Sequence, residues 1–165
     1  MSSILANGVN LRHNLRIGDL PRIVELHGHI YNREHDYDHT FEAYVAEPLS
    51  QFVLRDNPRE RLWLVEKDNS VEGCIAICEA ADSQAQLRWF LLSEKLRGRG
   101  LGDRLLSTAE AFCKDNHYSE IQLWTVQGLQ AARALYLKHG YQLHREIEHH
   151  VWGSIRTEQQ FVKFL

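Results

Sequence analysis

Leu87–Phe112 reads LRWFLLSEKLRGRGLGDRLLSTAEAF. Its opening residues, Leu87, Trp89, Phe90, Leu91 and Leu92, form an apolar and aromatic run that suits a buried strand. Its closing residues, Leu101, Leu105, Leu106, Ala109 and Phe112, recur at helical spacing and mark one face of a helix. Between them lies Arg97-Gly98-Arg99-Gly100-Leu101-Gly102. The glycines leave backbone N–H groups uncovered at the first turn of a helix, where the macrodipole is positive and the amides have no internal partner. Such a turn cradles an anion. Arg97 and Arg99 add guanidinium groups, which fit phosphate oxygens as bidentate forks. The stretch therefore predicts a strand, a phosphate-binding turn and a helix in succession, and a phosphorylated ligand.

What the turn lacks narrows that ligand. A nucleoside triphosphate loop ends in Gly-Lys followed by Ser or Thr, whereas this one ends Gly102-Asp103-Arg104, so a nucleotide triphosphatase is not indicated. A dinucleotide fingerprint needs a further glycine where Asp103 stands, and Glu120 meets only loosely its need for a distant acidic residue. What remains is Arg-x-x-Gly-x-Gly, filled by Arg97, Gly100 and Gly102. This pattern resembles the pyrophosphate-binding motif of the GCN5-related N-acetyltransferases, which hold acetyl-coenzyme A at such a strand-to-helix turn.

The chain around this stretch has 165 residues, 44% of them hydrophobic, with a net charge of −3 and an isoelectric point near 6.4. That length fits one domain, here 1–165, burying roughly two thirds of its unfolded surface. A slightly acidic chain has no basic field for a polyanion, so nucleic acid is not an expected partner. No apolar run approaches the roughly twenty residues that span a bilayer, and the N-terminus lacks the basic and apolar regions of a signal peptide. No membrane partner and a cytoplasmic location are expected, with a homodimer left open. Cys74 and Cys78, about 13 Å apart along one strand, are too far for a disulfide, and with Cys113 they are expected as buried small hydrophobes.

In chain order, Val9–Ile17 predicts a strand, and Gly18-Asp19-Leu20-Pro21 a helix start. Ile23, Leu26, His27, Ile30 and Tyr31 share one face of that helix. Thr40 is expected to cap a second helix, with a kink or break at Pro48, whose ring clashes with the Tyr44 carbonyl. Leu62–Glu66 and Val71–Glu79 read as a hairpin. Ile121–Thr125 reads as a strand parallel to the one ending at Leu92, because a helix connects them. The two should splay apart beyond their pairing. A helix at 129–138 and strands over Tyr141–Glu148 and His150–Phe164 complete the chain. The expected fold is α+β, a mixed, mostly antiparallel sheet of about seven strands with four helices.

This order is similar to that of the GCN5-related N-acetyltransferase (GNAT) fold over nearly the whole chain. Beyond the glycine turn, the resemblance rests on Leu123-Trp124-Thr125, Ala131-Ala132-Arg133-Ala134-Leu135-Tyr136 and Gly140-Tyr141. His27-Gly28-His29-Ile30-Tyr31 with Glu34, Thr40-Phe41-Glu42-Ala43 and His149-His150 look like acetyltransferase domains that some bacteria fuse behind a MarR-type DNA-binding domain. No such extension is expected here.

The resemblance implies attack of an amine on the thioester of acetyl-coenzyme A, with no metal. It implies that Phe90, Leu91 and Leu92 hold the pantetheine arm and supply an oxyanion donor. The pyrophosphate falls to Arg97, Gly98, Arg99, Gly100, Leu101, Gly102 and Asp103, and the small Ala132 lets the coenzyme pass. Tyr136 matches the family tyrosine that returns a proton to the thiolate, plain packing being the alternative. Leu129 stands where many members carry a coenzyme-binding asparagine. For the base, Glu79 at a strand end is one candidate, and His149 and His150, whose ordinary pKa suits proton transfer, are another. His27, Tyr31, Glu34, Phe41 and Trp63 are candidates for the acceptor side, with core packing as the alternative for the aromatics. His35, Asp36, Asp38 and His39 are not expected to form a metal site. The acceptor, small amine or protein, is not written in the sequence. A coenzyme A-binding sensor that does not transfer, or an interaction module, would share most of these features.

Overall fold

The computed structural model describes residues 8–165 and the backbone of Ser3–Leu5. Its elements are β1 (Ser3–Leu5), β2 (Val9–Arg12), α1 (Asp19–His35), α2 (Thr40–Arg55), β3 (Arg61–Lys67), β4 (Ser70–Ala81), β5 (Gln84–Leu92), α3 (Leu101–Asp115), β6 (Glu120–Val126), α4 (Gln130–Lys138), β7 (Gln142–Val151) and β8 (Ser154–Phe164). The strands form one eight-stranded sheet in the order β1-β2-β3-β4-β5-β6-β8-β7. Among the described residues, only β5 and β6 pair in parallel. This is the mixed, mostly antiparallel sheet with four helices that the hydrophobic patterns predict, extended by the three-residue β1.

Alternation on the strands supplies two apolar faces, and each is covered by a pair of helices. On one side Trp63, Val65, Ile75, Ile77 and Leu87 pack beneath Leu105, Leu106, Ala109 and Phe112 of α3 and Tyr136 of α4. On the other, Leu62, Leu64, Cys74, Ala76 and Cys78 pack beneath Ile23, Leu26 and Ile30 of α1 and Phe41, Val45 and Leu49 of α2. All three cysteines are free and buried.

Strand β5 changes phase partway. Ala85 and Leu87 face the α3 side, yet Trp89 and Leu91 belong to the α1/α2 side, while Phe90 and Leu92 return to the first. The cause is a bulge, because the β4–β5 register shifts between Cys74 and Ala76, and Trp89 takes the left-handed φ of 48°. One extra residue turns every later side chain to the opposite face. The Cys74 thiol donates to the Trp89 carbonyl at 3.0 Å, and a side chain on Gly73 would meet the Leu91 carbonyl oxygen at 2.7 Å. The neighbouring strand is thus shaped to hold the bulge.

Four boundaries differ from the sequence reading. Strand β2 stops at Arg12 because that buried guanidinium turns to bind Asp19 at 2.7 and 2.8 Å and Glu66 at 2.8 Å. Helix α2 begins at Thr40, but its first turn is capped by the Asp38 carboxylate, which accepts the Thr40 N–H at 2.9 Å. The same helix runs unbroken through Pro48. The Tyr44 carbonyl loses its helical partner there, and Tyr44 is 45% exposed. The last hairpin turns at Trp152-Gly153, with φ of 51° and 90°, rather than at His149. Strand β7 is consequently a ten-residue sheet edge exposed along nearly its whole length.

Candidate active site

Strands β5 and β6 pair only from Gln84↔Glu120 to Leu87↔Leu123 and then part. The β6-facing edge of Arg88–Leu92 therefore has no strand partner, which leaves backbone donors and acceptors open along a cleft. The divergence follows the bulge at Trp89, and α4 lines the gap that it opens. The splay expected from the sequence is present.

The cleft has a volume of about 380 Å³ and is walled by Phe90, Leu91 and Leu92 on β5, Ala131, Ala132 and Leu135 on α4, and Tyr31 and Glu34 on α1. Arg97, Gly98 and Gly102 close one end. Gly98 and Gly100 adopt φ of 73° and 71°, a conformation costly to other residues, with nothing within 4 Å of either added Cβ. The first amide of α3 to find a backbone acceptor is that of Arg104, on the Gly100 carbonyl at 3.2 Å. A side chain on Gly102 would meet Leu135 at 3.3 Å, so this glycine keeps α3 close to α4. Exposed amides, a positive helix end and a narrow apolar trough fit a diphosphate followed by a thin, amide-bearing arm.

The charges are less simple than the sequence suggests. Arg97 reaches across the cleft and places Nη1 3.0 Å from both carboxylate oxygens of Glu34, while its Nε donates to the Leu92 carbonyl at 2.9 Å. Desolvation pushes the Glu34 carboxyl up, but the hydrogen bonds and charge of Arg97, with Arg33 and His35, together outweigh it and hold the group below the usual carboxylate range. Glu34, a candidate for the acceptor side, thus lines this cleft beside the glycine turn. Arg99 is exposed and lines neither cavity, and Leu101 is buried in the core beneath the turn. Asp103 faces away from the turn, accepting from Lys138 at 2.5 Å and lying 3.0 Å from His139 Nε2.

A second cavity, of about 120 Å³, shares Tyr31, Phe90, Leu129, Ala132 and Tyr136 with the first and continues it to the other side of the splay. Rings enclose it: Tyr37 stacks on Trp152 at 4.9 Å, Phe41 meets Trp152 at 5.0 Å, and Tyr31 meets Phe41 at 4.7 Å. Tyr44 and Trp124 add to this wall. Its charged groups are Arg88 on β5 and Glu158 on β8. The β7–β8 turn completes the enclosure, since the Trp152 carbonyl accepts the Asp38 N–H at 3.2 Å.

Tyr136 stands where the cavities meet. Burial pushes its phenol well above the usual range, so it keeps its proton. Tyr31 is likewise pushed up to about 12, chiefly by burial. His27 lines the second cavity with Nδ1 2.8 Å from the Ile23 carbonyl, a contact that makes Nδ1 the donor. Burial lowers its pKa to about 4. Because the unfolded value lies near 6.5, the folded state binds fewer protons between these limits, and stability present above pH 6.5 is lost as pH falls towards 4. The loss is about 3 kcal/mol over that window. His27→Leu should flatten this part of the stability–pH curve, as denaturant titrations at stepped pH would measure.

The remaining candidates fall elsewhere. Glu79 lines neither cavity; its carboxylate is held by Asn57 at 2.8 Å and by Arg59, beside the β4–β5 turn. Trp63 lies on the opposite face of the sheet, packed edge-on against Phe112 at 5.3 Å. His150 lines neither cavity. His149 also lies outside, but its Nε2 is 2.5 Å from the carboxylate of Glu158, which does line the second cavity. Nothing in the local sequence singles out Glu158 or Trp152; both reach the cavity through the β7–β8 hairpin. Among the described residues, no three or more His, Cys, Asp or Glu side chains are grouped to hold a metal. No helix among them is long and apolar enough to cross a membrane.

Comparison with known proteins bears on this geometry. Residues 22–141 match the family described as "Acetyltransferase (GNAT) family". N-acetyltransferase 8F1 of Rattus norvegicus is 32% identical over 91 residues, which is 52% of this chain and 41% of that protein, so the chain spans less than half the relative's length. Among solved structures, an acetyltransferase from Streptococcus agalactiae 2603 superposes with a TM-score of 0.75 at 21% identity, covering 96% of this chain and 99% of that one. A GNAT family acetyltransferase from Elizabethkingia anophelis with acetyl-CoA bound gives a TM-score of 0.63 at 15% identity, covering 96% and 99%.

Proposed function

The chain belongs to the acetyltransferase (GNAT) family, and from that premise we propose that it transfers the acetyl group of acetyl-coenzyme A directly to the primary amine of an acceptor. The observation that carries this reading is the pair of cavities that meet at Tyr136. One has the phosphate-binding turn and the unpaired strand edge, and the other has an aromatic wall and a carboxylate. Bound acetyl-coenzyme A supplies the thioester carbon that the amine attacks.

The chain's own groups divide the remaining work. Amides near Gly98–Asp103 hold the diphosphate, and the open edge of Phe90, Leu91 and Leu92 orders the pantetheine arm and offers an amide to the developing oxyanion. Glu158 accepts the proton that the ammonium must lose, with His149 relaying it to solvent, since His149 is 38% exposed. His27, with its pKa near 4, is too weak a base for this step. Tyr136, raised by burial, is a weaker acid than an ordinary thiol, so its O–H steadies the departing sulfur by donating a hydrogen bond rather than by surrendering its proton outright.

A cytoplasmic location and kinship with the acetyltransferase domains fused to MarR-type regulators belong to the same reading. The first is supported by three free thiols, the second by the residues of α1 and α2 noted above. Incubation with acetyl-coenzyme A and a panel of primary amines, following free thiol release, tests the transfer. Glu158→Gln should lower kcat/KM by about 10²-fold. A kcat/KM within about twofold of the parent's would remove Glu158 from the mechanism, since one general base contributes more than that.

A further inference from the structure

Arg88 is the cation of the acceptor cavity, and among the described residues it has no carboxylate partner. Its guanidinium lies 5.0 Å from the centre of the Trp89 ring, in the cavity that Tyr44 also lines. Arg12, Arg16, Arg22, Arg55, Arg59 and Arg97 hold carboxylates; Arg61, Arg145 and Arg156, like Arg88, lie over rings without one, but Arg88 is the one of these four that lines this cavity. An arginine kept half-buried on an aromatic wall without an anion is costly unless a ligand supplies one. Arg88 sits on β5 just past the last residue paired with β6, whereas Glu158 sits on β8 opposite Val126, so the splay lies between them. Positive and negative groups thus line the same small cavity, on different strands, with Phe90 and Tyr136 at the end shared with the coenzyme cleft.

We propose that the acceptor is a free amino acid with an aromatic side chain, its carboxylate bound by Arg88 and its ring by the Tyr37, Phe41 and Trp152 wall. The inference rests on the transferase reading above and names its acceptor class. Three features of the cavity match three of the molecule. The guanidinium takes a carboxylate as a bidentate fork. Stacked and edge-on rings accept another ring better than an aliphatic chain. Glu158 receives the ammonium group and then its proton. A volume of about 120 Å³ admits a group on the scale of a single residue. In the transfer, the ammonium first gives one proton to Glu158, which loses it to solvent; the amine nitrogen then forms the new C–N bond as the C–S bond breaks, the second nitrogen proton passes to Glu158, and the thiolate leaves and takes up a proton from solvent, so no further reactant is needed.

The test uses pairs that differ only in the carboxylate: phenylalanine against phenethylamine, and tyrosine against tyramine. The parent should favour the amino acid in kcat/KM by about 10-fold or more, the order expected for one charge-assisted hydrogen-bond pair. Arg88→Met should bring kcat/KM for phenylalanine down to that for phenethylamine, mainly through KM, and Arg88→Lys should restore part of the difference. Calorimetry with coenzyme A on each variant reports whether the protein remains folded and its other cavity intact. Amines turned over as well as their amino acids would overturn the acceptor class while leaving the transferase standing. Acetylation of other amines but none of these amino acids would do the same. Binding of acetyl-coenzyme A with no thiol release to any amine would instead sink the transferase reading, and this inference with it.

Discussion

Tyr136→Phe should bind acetyl-coenzyme A as the parent does and turn over about 10²-fold more slowly at saturating substrates. The substitution deletes one oxygen from a side chain that is 5% exposed and packed against Tyr141 at 5.8 Å and Phe161 at 6.2 Å, so the rings that hold α4 to the sheet are kept. What is lost is a donor poised where the cavities meet, and a sulfur gains charge only as the C–S bond breaks. An interaction of that kind lowers kcat and kcat/KM together and leaves ground-state affinity alone. Stopped-flow measurement of thiol release, beside calorimetry with coenzyme A, separates the two. Turnover within about twofold of the parent would return Tyr136 to a packing role, since one catalytic donor is worth more than that.

Gly100→Glu should weaken coenzyme A binding by about two orders of magnitude, roughly 3 kcal/mol, without unfolding the protein. The added side chain has open space, because nothing lies within 4 Å of the Cβ position. Its left-handed φ of 71° imposes a strain of about 1–2 kcal/mol. Its charge at the N-terminus of α3 partly offsets that strain, since an anion is favoured there. The very feature that lets the carboxylate sit there makes it compete with a phosphate. Gly100→Ala supplies the strain without the charge and should bind within a few-fold of the parent. A Gly100→Glu affinity equal to that of Gly100→Ala would place the diphosphate elsewhere.

The coenzyme half of the site was legible because it is local. Glycines at 98, 100 and 102 and a leucine-spaced helix lie within one stretch, and helix dipole and backbone geometry need nothing from afar. The acceptor half was legible only in part. Tyr31, Phe41 and His27 share a helix face or its neighbour and were found by periodicity. Trp152 and Glu158 come from a hairpin whose tip folds back onto the α1–α2 connection, a long-range contact without local trace. The bulge at Trp89 was hidden for a different reason: Leu87, Trp89 and Leu91 alternate as a regular strand would, and only the two cores show that the phase has turned. Glu79 misled because a carboxylate at a strand end reads the same whether it faces a cleft or, as here, Arg59 and Asn57. The role of Arg97 was read as a free charge because its partner, Glu34, lies 63 residues away.

Strand β7 leaves its outer edge and much of both surfaces open to water, with Leu143 42% and Ile147 37% exposed. An open strand edge is a template on which another chain can lengthen the sheet, and hydrocarbon beside it adds adhesion. Between these two residues stand His144, Arg145 and Glu146, with Glu148 following. Arg145 lies over the Trp124 ring at 5.1 Å and Glu146 accepts from Gln159 at 2.6 Å, but charges so exposed lend the fold little energy of their own. Their contribution is colloidal: a stranger laying its strand here must desolvate a mixed row of charges. Resistance to aggregation is therefore concentrated in a few side chains of one ribbon, where surface mutations with no effect on melting temperature can still decide how concentrated a solution the protein survives.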